Sequence, residues 1–366
     1  MMECPSDVQS RVDLITRRIA PEDIHAIGLL KLALQKDEPA RCLWATAPTG
    51  RPHIGYLIPM IKFAEFAKAG VEVVVLLHEL FSYLDNVEYS MEQVTHRMAC
   101  YRYTVIAALE AIGVPLQKIH IVEEGTYHMT PEFIRDLWRL CKIVPQQAVK
   151  DAWNPGYEPN MLSPMLCPAL QALAEEYCNV DIQFGGTDQR GLFKFAELSM
   201  PLIGYADRAR LMNSMLPSLR GGKMSSSHPP ETKIMFQDPA PVVKEKIEKA
   251  YAEAKSTDQN GVFALVKDML LPIRLLQAEG ILEVRGDHGE CRSKGLVLPG
   301  TNGRPPKEYI SIDEIKHDLE AKELASETFT TAVADAVNNL LDHVRQAYAM
   351  NEEWQKSDRY GYPESA

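Results

Sequence analysis

A nearly continuous apolar run, residues 71–77, is the segment that most restricts how this chain can fold. Its valines favour a β-strand, and Glu72 is its single polar residue. Strands of this composition are typical of parallel sheets, whose central strands are buried on both faces. The run follows Gly70, a residue that commonly ends a helix. The segment therefore indicates a parallel sheet covered by helices.

The surrounding chain alternates between strands and helices. Apolar, β-rich segments predict further strands at residues 42–47, 119–122, 180–184 and around 209–213. Helical periodicity predicts helices at residues 8–36, 52–68, 91–112, 131–142 and 165–178. Strands alternating with helices predict an α/β fold with a doubly wound parallel sheet, of the Rossmann type.

The pattern changes after about residue 235. Predicted helices dominate there, at residues 240–254, 261–271, 312–323 and 327–349. We therefore predict a nucleotide-binding catalytic domain at 1–234 and a mainly α-helical domain at 235–366. A polar stretch rich in Gly and Pro, residues 283–307, is predicted to be a loop or an irregular insertion.

Charge and cysteine content exclude several classes of protein. The chain has 39 Lys and Arg against 50 Asp and Glu, a net charge of −11, so it is not a general nucleic-acid coat. The seven cysteines form no CxxC pair, which favours reduced thiols and predicts no metal site. We find no signal peptide and no apolar stretch of membrane-spanning length, so we predict a cytoplasmic protein without a membrane partner.

The first motif with chemical meaning is PTGRPHIG at residues 48–55. It lies where a predicted strand turns into a helix, at the edge of the sheet where open α/β folds bind ligands. Gly50 permits the tight turn, and Gly55 leaves room for a nucleotide close to the backbone. His53 can donate a hydrogen bond to a phosphate oxygen, next to the positive end of the helix. A strand-to-helix turn with a surface histidine is the simpler alternative.

The second motif is GGKMSSS at residues 221–227, which follows the predicted strand at 209–213. Its glycines allow the loop to move, and Lys223 and the hydroxyls can close over a triphosphate. They would stabilise the charge that develops as pyrophosphate leaves. A solvated serine-rich loop is the alternative for this motif alone, but its pairing with the first motif argues against that.

Together these motifs resemble the HIGH box and the KMSKS loop of class I aminoacyl-tRNA synthetases. Three further stretches, residues 82–86, 180–190 and 211–213, are similar to tyrosine–tRNA ligases of the eukaryotic and archaeal type. The similarity covers roughly residues 10–355. It implies formation of an aminoacyl-adenylate from ATP, with Mg²⁺ accompanying the nucleotide. It also implies a homodimer and tRNA as a possible partner.

The resemblance implies roles for particular residues. Thr49, His53, Lys223 and Ser225 would act in catalysis on the ATP phosphates. The other nucleotide contacts would come from Pro48, Gly50, Gly55, Gly186, Asp188 and Met224. The amino and carboxylate groups of the amino acid would meet Gln171 and Gln189. The substrate carboxylate would itself attack the α-phosphate, so that catalysis is positioning plus charge stabilisation.

The chain departs from the family where the side chain of the substrate is bound. The family holds the tyrosine hydroxyl with a strand Tyr and a helix Asp, which are Leu43 and Ala174 here. The family Tyr near the amino group is Cys167, a small Ala is His78, and a His is Phe81. A pocket built around a hydroxyl loses its selectivity without those partners. The departures predict a substrate other than tyrosine, unless His78 supplies a substitute partner.

The helical domain departs as well. The anticodon-reading segment of the family resembles His-Pro-x-Asp-Leu-Lys, and the matching residues 325–330 read ASETFT. The aromatic-Gly-Gly element of the family falls in the altered stretch 283–307. Recognition of single-stranded RNA needs stacking aromatics and polar side chains. We therefore predict that the anticodon-reading motif is lost.

Three functions stay open on the sequence alone. The chain can be a tyrosine–tRNA ligase with an altered pocket. It can be a paralogue that activates another amino acid and passes it to tRNA or to a small-molecule amine. It can also be a non-catalytic RNA-binding protein, although its intact phosphate-binding motifs argue against that.

Overall fold

The computed structural model describes residues 4–5, 7–85, 88–153, 159–221, 224, 229–254, 260–284, 293–300 and 304–363. At its centre is a six-stranded sheet. Its strands are β1 (Ile24–His25), β2 (Arg41–Thr46), β3 (Glu72–Leu77), β4 (Ile119–Glu123), β5 (Ile182–Gly186) and β6 (Ala209–Asn213). Their order is β1-β6-β5-β2-β3-β4, with β1 antiparallel to β6 and the other neighbours parallel. The predicted doubly wound α/β fold is confirmed.

Helices flank this sheet. They are α1 (Val8–Thr16), α2 (Ile27–Leu34), α3 (Leu57–Lys68), α4 (Glu79–Asp85), α5 (Met91–Ile112), α6 (Pro131–Ile143), α7 (Gln146–Ala152), α8 (Cys167–Tyr177) and α9 (Arg190–Ser199). The long helix α5 has both end signals: Ser90 and Gln93 form a capping box, and Gly113 ends it with φ of 80°.

Helices also dominate after residue 235. They are α10 (Ala240–Glu253), α11 (Gly261–Leu265), α12 (Leu271–Ala278), α13 (Ile312–Glu320), α14 (Ser326–Ala349) and α15 (Glu352–Gly361), with a π-helical turn at Val266–Leu270. The stretch 283–307, predicted to be irregular, contains β7 (Leu296–Leu298), which pairs antiparallel with β8 (Lys307–Tyr309). That prediction was wrong for β7, because short alternating strands give little signal between Gly and Pro.

The prediction of a single helix over residues 8–36 was also wrong. Helix α1 ends at Thr16, and β1 precedes α2. Arg18 and Ala26 both have positive φ, 63° and 54°, a conformation that interrupts a right-handed helix. Neither residue type signals such a conformation in the sequence.

Alternate residues of each central strand enter two separate hydrophobic clusters. Cys42 and Trp44 of β2 pack in one cluster, while Leu43 packs in the other with Val74 and Leu76 of β3. This follows from the two-residue period of a strand. The sheet is thus buried on both faces, as the run at residues 71–77 indicates.

The first of these clusters continues past the predicted boundary at residue 234, through Phe236 and Val262 to Phe329. The division into two domains therefore stays a prediction. No helix in the described ranges combines the length and the apolar character needed to cross a bilayer.

The strand order places a crevice beside β2. From β2 the chain continues to β3 and β4 on one side, whereas β5 and β6 lie on the other. Open parallel sheets bind ligands at such a switch, outside the carboxyl ends of the strands. The ends of β2, β3, β5 and β6 converge there.

Candidate active site

A cavity of about 330 Å³ lies at this edge of the sheet. The structure brings ten of the predicted site residues together in its wall. They are Thr49, His53, Gly55, His78, Phe81, Gln171, Gly186, Asp188, Gln189 and Met224.

Other predicted site residues do not line the cavity. Pro48 and Gly50 lie in the adjoining turn, while Leu43, Cys167 and Ala174 are fully buried in the protein interior. Lys223 and Ser225 lie outside the described residues.

His53 is held in place at the turn between β2 and α3. It is 5% exposed, and its Nδ1 accepts a hydrogen bond of 3.2 Å from the backbone N–H of Gly55. The backbone of Ile54 donates to the carbonyl of Ile234, which fixes the turn against the following segment. With Nδ1 an acceptor, the neutral imidazole carries its proton on Nε2, and that N–H is the donor of the ring.

At two glycines of the site, a side chain would displace a neighbouring side chain. A Cβ on Gly55 would come within 2.8 Å of Cε1 of His53. A Cβ on Gly186 would collide with Sδ of Met215 and Oδ1 of Asp188. Glycine at these positions therefore lets His53 and Asp188 pack closely against the backbone.

A short chain of hydrogen bonds joins three residues of the cavity wall. Gln171 of α8 donates from Nε2 to Oε1 of Gln189 at 3.1 Å, and Gln189 donates from Nε2 to Oδ2 of Asp188 at 3.3 Å. These amide and carboxylate groups are the kind that bind an ammonium group or a sugar hydroxyl.

The turn at residues 49–50 is held by the C-terminal segment and by α5. The hydroxyls of Tyr101 and Tyr362 donate to the carbonyl of Gly50 at 2.7 and 3.0 Å. Arg97 of α5 donates to the carbonyl of Thr49 and, through Nε, to that of Gly361, both at 2.6 Å. The guanidinium of Arg97 also lies over the ring of Tyr362, 4.7 Å from its centre. Burial raises the pKa of the Tyr362 hydroxyl, so it stays a donor.

A buried acid–imidazole pair stands at the end of β3. Nδ1 of His78 lies 3.3 Å from Oε1 of Glu124, within ion-pair distance. Oε2 of Glu124 accepts from the backbone N–H groups of Leu80 and Phe81 at 2.9 and 3.3 Å. Burial raises the pKa of Glu124, but attraction to His78 and these contacts outweigh burial and lower the pKa below its usual range. Glu124 is therefore a carboxylate at neutral pH.

Several residues of the cavity were not predicted as site residues. The wall also contains Trp44, Asp85, Trp153, Asn213 and Met215. Burial raises the pKa of Asp85. One feature of the sequence could have identified Glu124 as a site residue: it directly follows β4, at the carboxyl edge of the sheet.

The chain is similar to proteins of a known family. The family model for class I tRNA synthetases (W and Y) matches residues 35–342. The cytoplasmic tyrosine–tRNA ligase of Saccharomyces cerevisiae is 38% identical over 87% of this chain and 79% of that protein. The Gallus gallus cytoplasmic tyrosine–tRNA ligase is 36% identical over 99% of this chain, which spans only 65% of that protein.

A solved structure shares the same architecture. The tyrosyl-tRNA synthetase of Archaeoglobus fulgidus, solved with L-tyrosine, superposes with a TM-score of 0.76 at 26% identity. The match covers 93% of this chain and 99% of that one. The family model, these identities and the switch-point cavity with its two signature loops agree, and this chain belongs to the class I tRNA synthetases of the tryptophan and tyrosine type.

Proposed function

We propose that this protein catalyses ATP-dependent activation of an amino acid, and that its side-chain pocket does not prefer tyrosine. The proposal of amino-acid activation rests on one observation. Thr49, His53, Gly186 and Asp188 line the same cavity, at the point where the strand order of the sheet reverses. Two signature loops that lie far apart in the sequence border the same space there, since Met224 of the second loop also lines it.

The chain's residues would act mainly by positioning. The Nε2–H of His53 would donate to a phosphate oxygen, and Asp188 would accept from the ribose. Gln171 and Gln189 would hold the amino acid so that its carboxylate attacks the α-phosphate in line, displacing pyrophosphate. Mg²⁺, bound mostly by phosphates and water, would neutralise charge on the ATP. Lys223 and Ser225 are proposed to stabilise the leaving pyrophosphate.

The proposal of a changed pocket rests on Leu43 and Ala174. Both are 0% exposed and pack in the apolar cluster below the cavity, where neither can offer a hydrogen bond. A tyrosine hydroxyl placed there would be buried without a partner, at a cost of about 1–3 kcal/mol.

Tyrosine–tRNA ligation is the second candidate function. The cytoplasmic ligases of yeast and chicken carry that name, and the chain matches both over most of its length. In this case His78 or a water molecule would replace the lost partners of the hydroxyl. The acceptor of the activated amino acid would then be tRNA. If residues 325–330 no longer read an anticodon, the alternative acceptor is a small-molecule amine. The third function, a non-catalytic RNA-binding protein, would use neither signature loop.

Amino-acid-dependent ATP–pyrophosphate exchange tests the proposal, measured across the twenty standard amino acids with Lys223→Ala as the inactive control. Exchange with an amino acid other than tyrosine is expected. Exchange with tyrosine alone would establish the ligase alternative, and charging of bulk tRNA would confirm it. No exchange combined with no binding of ATP would overturn the proposal.

The hydrogen bond from Tyr362 to the carbonyl of Gly50 predicts that loss of this hydroxyl raises the KM for ATP moderately. Tyr362→Phe removes one of the two hydroxyls that hold the carbonyl of Gly50, a loss of about 1 kcal/mol. We expect the KM for ATP in the exchange reaction to rise about fivefold. Tyr360→Phe is the matched control, because Tyr360 is 56% exposed and two residues away. Equal KM values for the two variants would contradict a role of Tyr362 in holding the turn.

The homodimer that the family implies is proposed to use the region of α6. Trp138 is 68% exposed there, and Met129, just before the helix, is 71% exposed. Exposed apolar groups mark interfaces where they form a contiguous patch, and the proposal is that these two belong to one. Trp138→Glu is expected to convert a dimer into a monomer in sedimentation velocity, while Lys142→Glu on the same helix keeps the dimer. A wild-type protein that sediments as a monomer would rule the dimer out.

A further inference from the structure

The end of β3 places an imidazole in the wall of the cavity with one ring nitrogen unsatisfied. His78 is 2% exposed; its Nδ1 faces Glu124, and its Nε2 makes no hydrogen bond to any described residue. Its backbone is fixed, because its N–H donates to Thr46 and its carbonyl accepts from the hydroxyl of Ser82 at 2.6 Å. A buried ring nitrogen without a partner costs free energy unless a ligand satisfies it.

Glu124 determines which nitrogen a ligand can reach. Its carboxylate lies 3.3 Å from Nδ1 and is itself held by two backbone N–H groups. A carboxylate there keeps a proton on Nδ1, so that Nε2 is the atom left for a ligand. The tilted ring of Phe81, 5.3 Å from that of His78, supports the imidazole from the side.

The remaining wall restricts the ligand further. Phe81, Trp153, Ala152 and Leu192 give this part of the cavity an apolar surface. The described lining residues include no Lys or Arg, whereas Asp85 does line it. An anionic side chain would therefore meet a carboxylate and, among the described lining residues, no permanent cation.

The depth of the cavity argues against a long side chain. Leu43 and Ala174, which occupy the positions where the family holds the tyrosine hydroxyl, are sealed from the cavity at 0% exposure, as is Cys167. His78 and Phe81 line the wall instead. A phenol that extends to Leu43 and Ala174 would have to displace packed side chains.

We infer that His78, oriented by Glu124, determines specificity by hydrogen-bonding a neutral polar group of the substrate through Nε2. The substrate is then an amino acid with a short side chain that carries a hydroxyl or an amide. This inference rests on the proposed function, since it names the substrate class of the same site.

Exchange assays with pairs of polar and apolar amino acids test it on the whole chain. The pairs are threonine with valine, serine with alanine, and asparagine with leucine, and homoserine and tyrosine are added. One polar member is expected to exceed its apolar partner on the order of 10²-fold or more in kcat/KM, because a site built around a hydrogen bond rejects the analogue that lacks it. Preference for an apolar member, or for tyrosine, would overturn the inference.

Two variants test whether the selectivity depends on His78 and Glu124. His78→Phe keeps a planar ring but removes Nε2, and it is expected to abolish the preference within the pair. Glu124→Gln is expected to weaken the preference, while Glu123→Gln, at a side chain that is 44% exposed, leaves it unchanged. Thermal unfolding and ATP binding of each variant show whether the protein is folded. An unchanged preference in a folded His78→Phe protein contradicts the inference.

The assays separate this inference from the proposed function. If the protein binds ATP but no neutral polar amino acid supports exchange, the substrate class is wrong and activation of another amino acid stays open. If ATP is not bound, the proposed function fails and the inference fails with it.

Discussion

His53→Ala is expected to lower the kcat of ATP–pyrophosphate exchange by about 10²- to 10³-fold, the loss typical of removing one donor to developing negative charge. The imidazole is 5% exposed, and its Nδ1 accepts from the N–H of Gly55, so its other N–H is the group proposed to meet a phosphate. Steady-state exchange at saturating ATP measures the effect, with His120→Ala on the partly exposed strand β4 as the control.

A companion variant tests the geometry as well as the chemistry. Gly55→Ala keeps the imidazole but puts a methyl group within 2.8 Å of it, which must displace the ring. Its kcat is expected to fall too, although less than that of His53→Ala. If both proteins fold normally and exchange at the wild-type rate, His53 has no part in catalysis.

The sheet, and the residues that meet at the candidate nucleotide site, were largely predictable from the sequence. Apart from Glu72, residues 71–77 are apolar on both faces, a pattern typical of a strand buried inside a parallel sheet. The loops at residues 48–55 and 185–189 follow strands that end at the same edge, so Thr49, His53, Gly186 and Asp188 meet as a consequence of strand order.

The side-chain pocket was less predictable, because it depends on contacts between distant segments. Leu43 and Ala174 were predicted to contact the substrate, but they belong to a cluster beneath the cavity and not to its wall. The pairing of His78 with Glu124 joins two strands, and the sequence gives no sign of the 3.3 Å distance between them. Local patterns predict strands and turns, whereas side-chain pairing of this kind requires the folded chain.

Helix α3 directly follows the turn that contains His53. One buried carboxylate on this helix forms ion pairs with the residues that follow α1. Glu65 of α3 is 0% exposed and contacts three cations, Arg17 at 2.7 Å, Lys62 at 2.8 Å and Arg18 at 2.9 Å. Burial lowers the pKa of Lys62 to about 8, although its contact with Glu65 opposes this. The carboxylate is therefore the group that compensates a buried ammonium.

Glu65→Gln is expected to lower the free energy of unfolding by about 3–5 kcal/mol, because it leaves the charge of Lys62 buried and unpaired. Glu197→Gln removes the same type of i,i+3 lysine contact on α9, where the side chains are 58% and 35% exposed. Its expected cost is only about 0–1 kcal/mol. Urea unfolding followed by circular dichroism measures both variants.

The double variant Lys62→Met with Glu65→Leu distinguishes lost charge compensation from a general loss of packing. It removes the buried charge together with its partner, and apolar replacements of a buried pair are often neutral. Arg17 and Arg18 can still reach water, since their side chains are 29% and 34% exposed. The double variant is therefore expected to be more stable than Glu65→Gln. If it is equally unstable, the stability at this position comes from the shape of Glu65 and its hydrogen bonds, and not from its charge.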